Sequence, residues 1–298
     1  MKKRIITSLL AVSITTMLSA SEFSKQADKD KKALQEYMEK KFASLKNAST
    51  YFPYTPKEEL EKNYIWGIKG ADFAKGSYAY NKGGKEQYDE MNEMPPYEDA
   101  IDEGEELYNK TKGIKKCFPD PAIAGEYPKF DEKKGQVVTL TGAINNCLVA
   151  NGEKKWNPKK GKMAKLQAYF AAKSKEAGKK VHIVINSKAA AAAYEHGKKE
   201  YYSQRGYLKL SCANCHVQGA GERVRREYLS PLLGATTHFP VYRLKWQGLG
   251  TLERRLGGCN KNQGEQPHKP GSAWTRDMLY FMAYMSNGLP VNGPDVRK

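Results

Sequence analysis

The sequence predicts a mainly α-helical protein of two tandem domains related by duplication. Only the C-terminal domain carries a prosthetic group, and a helical to irregular extension precedes both. Three observations lead there: the run Cys212-Ala213-Asn214-Cys215-His216, a set of glycines, aromatics and cysteines that recurs after residue 100, and apolar residues spaced at the helical period.

Two thiols two residues apart suit addition across the two vinyl groups of a haem, and the histidine that follows turns its imidazole toward the iron. A zinc half-site or a thioredoxin-like pair is the plainer reading of Cys-x-x-Cys. No second Cys-x-x-Cys or histidine pair completes a zinc site, and His216 is what haem attachment requires. One covalently bound haem c is therefore expected on Cys212, Cys215 and His216, and each domain reads as cytochrome c-like.

In chain order, Lys2, Lys3 and Arg4 open a basic segment, residues 5–18 are apolar, and small residues follow at Ser19-Ala20. This is a cleavable signal peptide over 1–20, too short and too rich in Ser and Thr to anchor in a bilayer, and it places the mature protein in the periplasm. No membrane span is expected elsewhere. Over 21–100, Leu34, Met38, Phe42 and Leu45 mark an amphipathic helix. From Tyr51 to Pro96 the pattern dissolves into Gly, Lys, Tyr and Asn, which predicts extended, irregular chain laid over a domain surface with Tyr54, Tyr64 and Trp66 as pins.

The repeat then spans 101–195, without haem, and 196–298, with haem. Gly104, Tyr108 and Gly113 are matched at equal spacing by Gly197, Tyr201 and Gly206, each set leading into cysteine. Downstream, Pro128, Phe130, Thr139, Leu140 and Cys147 fall opposite Pro240, Tyr242, Thr251, Leu252 and Cys259. Each copy closes on an apolar helix, 163–173 and 278–285, and short strands are predicted at Val137-Val138-Thr139 and over 181–185.

Five cysteines are an odd number for an exported chain. With Cys212 and Cys215 on haem, the first copy holds Cys117 and Cys147, without a second attachment cysteine or a histidine directly after Cys117. Either they form a disulfide across a centre that has lost its haem, contributing about 3–4 kcal/mol through the unfolded state, or they are two buried thiols. Cys259 is left alone beside the haem, as a spare thiol, an intermolecular bridge or the sixth ligand opposite His216. The repeat favours ligation, because it pairs Cys259 with Cys147. The competing ligands are Met278, Met282 and Met285, spaced as core, and His238 and His268, near prolines in loops; His182 reads as a strand residue and His196 as a turn residue.

Before Cys259 stand Arg254 and Arg255, whose guanidinium groups suit an oxyanion, and Gly257-Gly258, which would let backbone approach a ligand closely. An ordinary solvated basic turn is the alternative. The balance of 50 Lys+Arg against 33 Asp+Glu gives +17 over 298 residues. Such a charge steers anionic substrates or acidic partners or simply aids solubility, and no nucleic-acid motif accompanies it.

These residues resemble the SoxA family, the catalytic subunit of the SoxAX cytochromes of thiosulfate oxidation. The resemblance rests on Cys212 to His216, on Arg255-Leu256-Gly257-Gly258-Cys259-Asn260 and on Ser286-Asn287-Gly288-Leu289-Pro290, and covers the chain from about Gly104 onward. It implies two cytochrome c domains, axial ligands His216 and Cys259, a persulfide on that cysteine, and Arg255 as the substrate-binding arginine. It resembles the single-haem branch, in which a disulfide replaces the first haem. The implied activity is that of an L-cysteine S-thiosulfotransferase: thiosulfate is joined oxidatively to a cysteine of the carrier SoxYZ, with electrons passing through haem to the partner cytochrome SoxX in a heterodimer. Two other activities compete: a thiosulfate dehydrogenase forming tetrathionate, and a plain electron-transfer cytochrome c.

Overall fold

The computed structural model describes residues 22–225 and 227–297; the signal peptide expected at 1–20 lies outside them. The extension comprises α1 (Lys25–Lys41), α2 (Leu45–Tyr51), α3 (Lys57–Asn63), a 3-10 stretch (Gly70–Ala79) and α4 (Lys82–Glu93). The stripe of α1 buries Leu34 and Met38, with Phe42 buried just past its end. Leu45 instead opens α2, where the Ser44 hydroxyl accepts from Asn47 N.

The segment from 51 to 96 differs from its prediction: it is largely short helices. Its apolar residues do not repeat at helical spacing because they reach across to the C-terminal domain rather than along one face. Phe52, Tyr64, Phe73 and Tyr80 are buried. The Tyr64 hydroxyl donates to Gly221 O at 2.7 Å, and that of Tyr80 donates to Leu229 O. Backbone touches backbone at Gly234, in the left-handed region with φ +82°, where a Cβ would lie 2.1 Å from Phe73 O. Tyr64 and Trp66 pack in a stack at 5.6 Å, as pins should, whereas Tyr54 is 98% exposed and anchors nothing.

The next part contains α5 (Glu98–Lys110), α6 (Ile114–Cys117), β1 (Lys129–Asp131), β2 (Gln136–Val138), α7 (Leu140–Ala150) and α8 (Lys162–Glu176). The last contains α9 (Lys188–Tyr202), a π-helical turn (Asn214–Gln218), β3 (Arg223–Val224), β4 (Glu227–Tyr228), β5 (Val241–Arg243), β6 (Gly248–Gly250), α10 (Leu252–Asn262), α11 (Ala273–Tyr284) and β7 (Asp295–Arg297). The chain is mainly helical. Helices α5 and α9 begin at Glu98 and Lys188, so the boundaries expected at 100/101 and 195/196 fall inside helices.

Both parts use one construction. Antiparallel hairpins β1–β2 and β5–β6 pair Lys129 with Val138 and Val241 with Gly250, and β7 adds in parallel to β5. A threonine then caps the next helix: Thr139 accepts from Gly142 N and Thr251 from Arg254 N. Glycine lets the long helices touch. A Cβ at Gly104 would meet Lys165 O of α8 at 2.2 Å, and one at Gly197 would meet Asp277 O of α11 at 2.0 Å.

Cys117 and Cys147 are joined by a disulfide that ties α6 to α7, with Cys147 buried among Tyr108, Phe118, Ile144 and Phe170. The strand predicted near Val137 is β2. Residues 181–185 are not a ladder strand, although Val181, Ile183 and Ile185 are buried in alternation. The Asn287 side chain accepts from Ile183 N at 2.7 Å and donates to Ile183 O at 2.8 Å, taking the place of a neighbouring strand. Within the described residues no helix is long and apolar enough to cross a membrane.

Gly197→Ala should destabilise the protein by about 1–3 kcal/mol through overpacking. Gly83→Ala, with nothing within 4 Å, should be neutral or stabilise by up to about 1 kcal/mol. Urea unfolding of the two variants compares them directly.

Candidate active site

The Cys212 to His216 run is set by a reciprocal cap. Asn214 N donates to the Ser211 hydroxyl at 3.1 Å while Ser211 N donates to Asn214 Oδ1 at 2.8 Å, and the turn closes from Gly219 N to Asn214 O. His216 Nδ1 lies 2.7 Å from Ser230 O. A carbonyl only accepts, so the proton sits on Nδ1 and the lone pair on Nε2 could bind a metal. The end of the turn is held by Lys41 of α1, 0% exposed, whose ammonium donates to Gln218 O at 2.7 Å and lies 4.7 Å from the Phe52 ring centre. Burial lowers Lys41 to about 8, against the attraction of Glu222.

The facing wall is α10, so the segment for which a solvated basic turn was the alternative is a helix. Glu253, Leu256 and Asn260 form its buried stripe. Arg255 and Cys259, four residues apart, share another face. Gly258 meets nothing within 4 Å, and at Gly257 only Pro267 comes close, at 3.6 Å. These glycines satisfy no packing demand of the protein itself. The helix end is secured by Glu265, which accepts from Asn260, Gln263 and His268.

Cys259 is half-buried and within hydrogen-bonding reach of His216. Burial opposes its ionisation, but Arg255, His216 and Arg243 outweigh burial and bring the thiol down to about 7. The attachment cysteines behave oppositely: burial, reinforced by Cys259, pushes Cys212 up to about 12 and raises Cys215. The site thus holds one thiolate-forming sulfur opposite an imidazole and two sulfurs kept as thiols.

The two arginines part company. Arg254 stacks on Trp246 at 4.1 Å and donates to Leu249 O, so it is structural rather than anion-binding. Arg255 bonds through its backbone N to Thr251 O, but its guanidinium has no hydrogen-bond partner among the described residues and stays half-buried. Met278, Met282 and Met285 are buried in the core, where their spacing put them. His238, read as a polar loop residue, is buried against Phe239 and faces Arg297, Arg255 and Arg243, which with burial hold it neutral. His268 stacks on Trp274 at 3.8 Å, His196 pairs with Asp277 at the surface, and His182 is exposed.

Sequence reasoning missed Lys41, Glu253 and Arg243. Glu253 is a buried carboxylate between two helix starts, hydrogen-bonded by Thr139, Thr141 and Thr251. Its signal was the threonine pair already aligned between the repeats. Arg243 sits on β5 with Nη2 on Glu227 at 3.0 Å, and no local pattern marks it.

The donor set fits a c-type haem. Two unbridged cysteines and a histidine with a lone pair on Nε2 stand opposite a thiol that ionises readily, and the buried Arg243 Nε near them lacks a partner among the described residues. On the supporting shell, Lys41→Met should abolish a pH dependence. A lysine held at about 8 when folded and at its ordinary value unfolded makes the unfolded chain bind more protons between those values. Wild-type stability therefore rises with pH from 8 toward 10, by up to about 3 kcal/mol, and denaturant melts of the variant should lack this rise.

Residues 103–178 and 196–291 match the SoxA/TsdA cytochrome c domain family. The chain is 47% identical to the L-cysteine S-thiosulfotransferase subunit SoxA of Chlorobaculum thiosulfatiphilum, over 78% of this chain and 82% of that protein. It is 42% identical to the subunit of the same name from Allochromatium vinosum, over 82% and 91%. The crystal structure of SoxXA from P. pantotrophus superposes with a TM-score of 0.62 at 30% identity, covering 68% of this chain and 79% of that one. With the attachment run, the facing cysteine and these relatives in agreement, the chain belongs to the SoxA family of c-type cytochromes.

Proposed function

We propose that this protein is an L-cysteine S-thiosulfotransferase of the thiosulfate-oxidising system: a periplasmic cytochrome of two tandem, duplicated domains whose C-terminal domain alone binds haem c. The observation that carries the reading is the placement of Arg255 and Cys259 on one face of α10, opposite His216. Cys212 and Cys215 would form the thioethers, and His216 and Cys259 would be the axial ligands. The repeated hairpin, cap and glycine contact support duplication, and the disulfide occupies the position that haem attachment takes in the second copy.

The Arg255 guanidinium, free of protein partners, holds the sulfonate oxygens of thiosulfate in its planar fork. The lowered Cys259 supplies a thiolate, which forms a sulfur–sulfur bond to the terminal sulfur as two electrons leave. The thiolate of the carrier, SoxYZ, then attacks that terminal sulfur; the bond to Cys259 breaks, Cys259 leaves as thiolate, and the carrier retains an S-thiosulfonate. When bound, haem supplies one-electron redox chemistry and passes the electrons singly to a partner cytochrome, SoxX in a heterodimer. Burial and the neighbouring thiolate keep Cys212 and Cys215 from competing as nucleophiles before attachment.

Cys259→Ser should retain covalent haem yet give no carrier conjugate by mass spectrometry; full conjugation by this variant sinks the reading. Arg255→Gln should raise KM for thiosulfate about 10- to 100-fold, the worth of a charge-assisted hydrogen bond. Tetrathionate as the sole product would assign thiosulfate dehydrogenase activity instead. A low-spin electron paramagnetic resonance signal of His/Met type, without conjugation, would leave a plain electron carrier.

A further inference from the structure

A buried guanidinium with an unpaired donor is costly, about 1–3 kcal/mol for the unmade hydrogen bond, and Arg243 is one. Its side chain is 9% exposed, Nη2 is engaged by Glu227 at 3.0 and 3.3 Å, and Nε is shut off from solvent without a partner among the described residues. Three things immobilise it. It stands on the central strand of the β6-β5-β7 sheet, Glu227 clamps one edge, and Trp246 lies 5.4 Å from the guanidinium carbon.

The charges around it do not balance. His238, Arg255 and Arg297 face the same region, and His238 is held neutral by burial and these arginines. Arg297 is matched by buried Asp295 at 2.6 Å, with a further bond to Lys75 O. Among the described residues Glu227, 49% exposed, is the only carboxylate on Arg243, and Arg255 has none. The Arg243 Nε therefore has a hydrogen bond left to give to a further anion, close to Cys259.

We propose that Arg243 is a cofactor-positioning residue whose Nε–H donates to a propionate carboxylate of the haem. The inference rests on the haem reading above. A haem brings two carboxylates into the fold during maturation, so they reach a donor that solvent does not. Thiosulfate enters from solvent and meets Arg255, which is half-buried and free. The two arginines thus divide the anions, Arg243 taking that of the cofactor and Arg255 that of the substrate.

The test is resonance Raman spectroscopy of the full-length haem-loaded protein, reading the propionate bending band, with haem content checked by pyridine haemochrome and thiosulfate KM measured alongside. Arg243→Gln should retain haem, shift the band and lower the midpoint potential, and should raise KM far less than Arg255→Gln does. Arg243→Lys, which keeps charge but loses Nε, should give an intermediate band position and serves if the glutamine variant folds poorly. Arg254→Gln should leave the band unmoved. An unchanged band in haem-loaded Arg243→Gln overturns the proposal, and a tenfold rise in KM with it would make thiosulfate the anion. Absence of haem from wild type would instead overturn the haem reading on which the proposal stands.

Discussion

Everything in this protein turns on holding an imidazole and a thiol face to face across separate elements. His216 comes from a tight turn and Cys259 from the third turn of α10, and neither is placed by its neighbours in sequence alone. Ser230 fixes the ring through Nδ1, and Leu232 N donates to His216 O at 2.7 Å, so the strip that follows the motif orients the histidine twice. The cysteine is positioned by a helix anchored at both ends, by Thr251 and Glu253 at the start and by the Glu265 cluster at the finish.

That dependence explains the parts of the chain remote from the sulfur chemistry. The extension is a brace for the haem-attachment side: Lys41 holds Gln218, Tyr64 holds Gly221, and Tyr80 holds Leu229. The disulfide-bearing part braces the other wall. Its Thr139 and Thr141 bind Glu253 of α10, and Lys159 O and Pro158 O accept from the backbone N–H and hydroxyl of Thr251. Burying the Glu253 carboxylate raises its pKa, and its hydrogen bonds, with two helix starts nearby, compensate. The disulfide-bearing part thereby sets the position of the cysteine on α10.

Electrostatics distinguishes sulfurs of the same residue type within one site. Arg255 and Arg243 favour the Cys259 thiolate against burial, whereas burial, reinforced by Cys259 and Glu265, keeps Cys212 protonated. Arginine suits this work because its charge persists when desolvated, where a lysine would give up its proton. Lys41 illustrates the contrast, since burial has already brought it to about 8.

The sequence by itself determined the Cys-x-x-Cys-His run, the helical class and the family, because each is written in short-range spacing. Cys-x-x-Cys-His is a local signature, Leu34 and Met38 mark a face at helical period, and Gly104 and Gly197 recur because helices can touch only there. Spacing marked Arg254 and Arg255 alike beside Cys259, and only the resemblance to the SoxA family told them apart. Only the tertiary structure decided the rest. It turned 51–96 into braced helices, because its aromatics pack across domains where no periodicity records them. It separated Arg254 from Arg255, because Trp246 captures the first. It brought Arg243, Lys41 and Glu253 to the centre, because burial and charge balance are properties of assembled surfaces, and residues distant along the chain supply them.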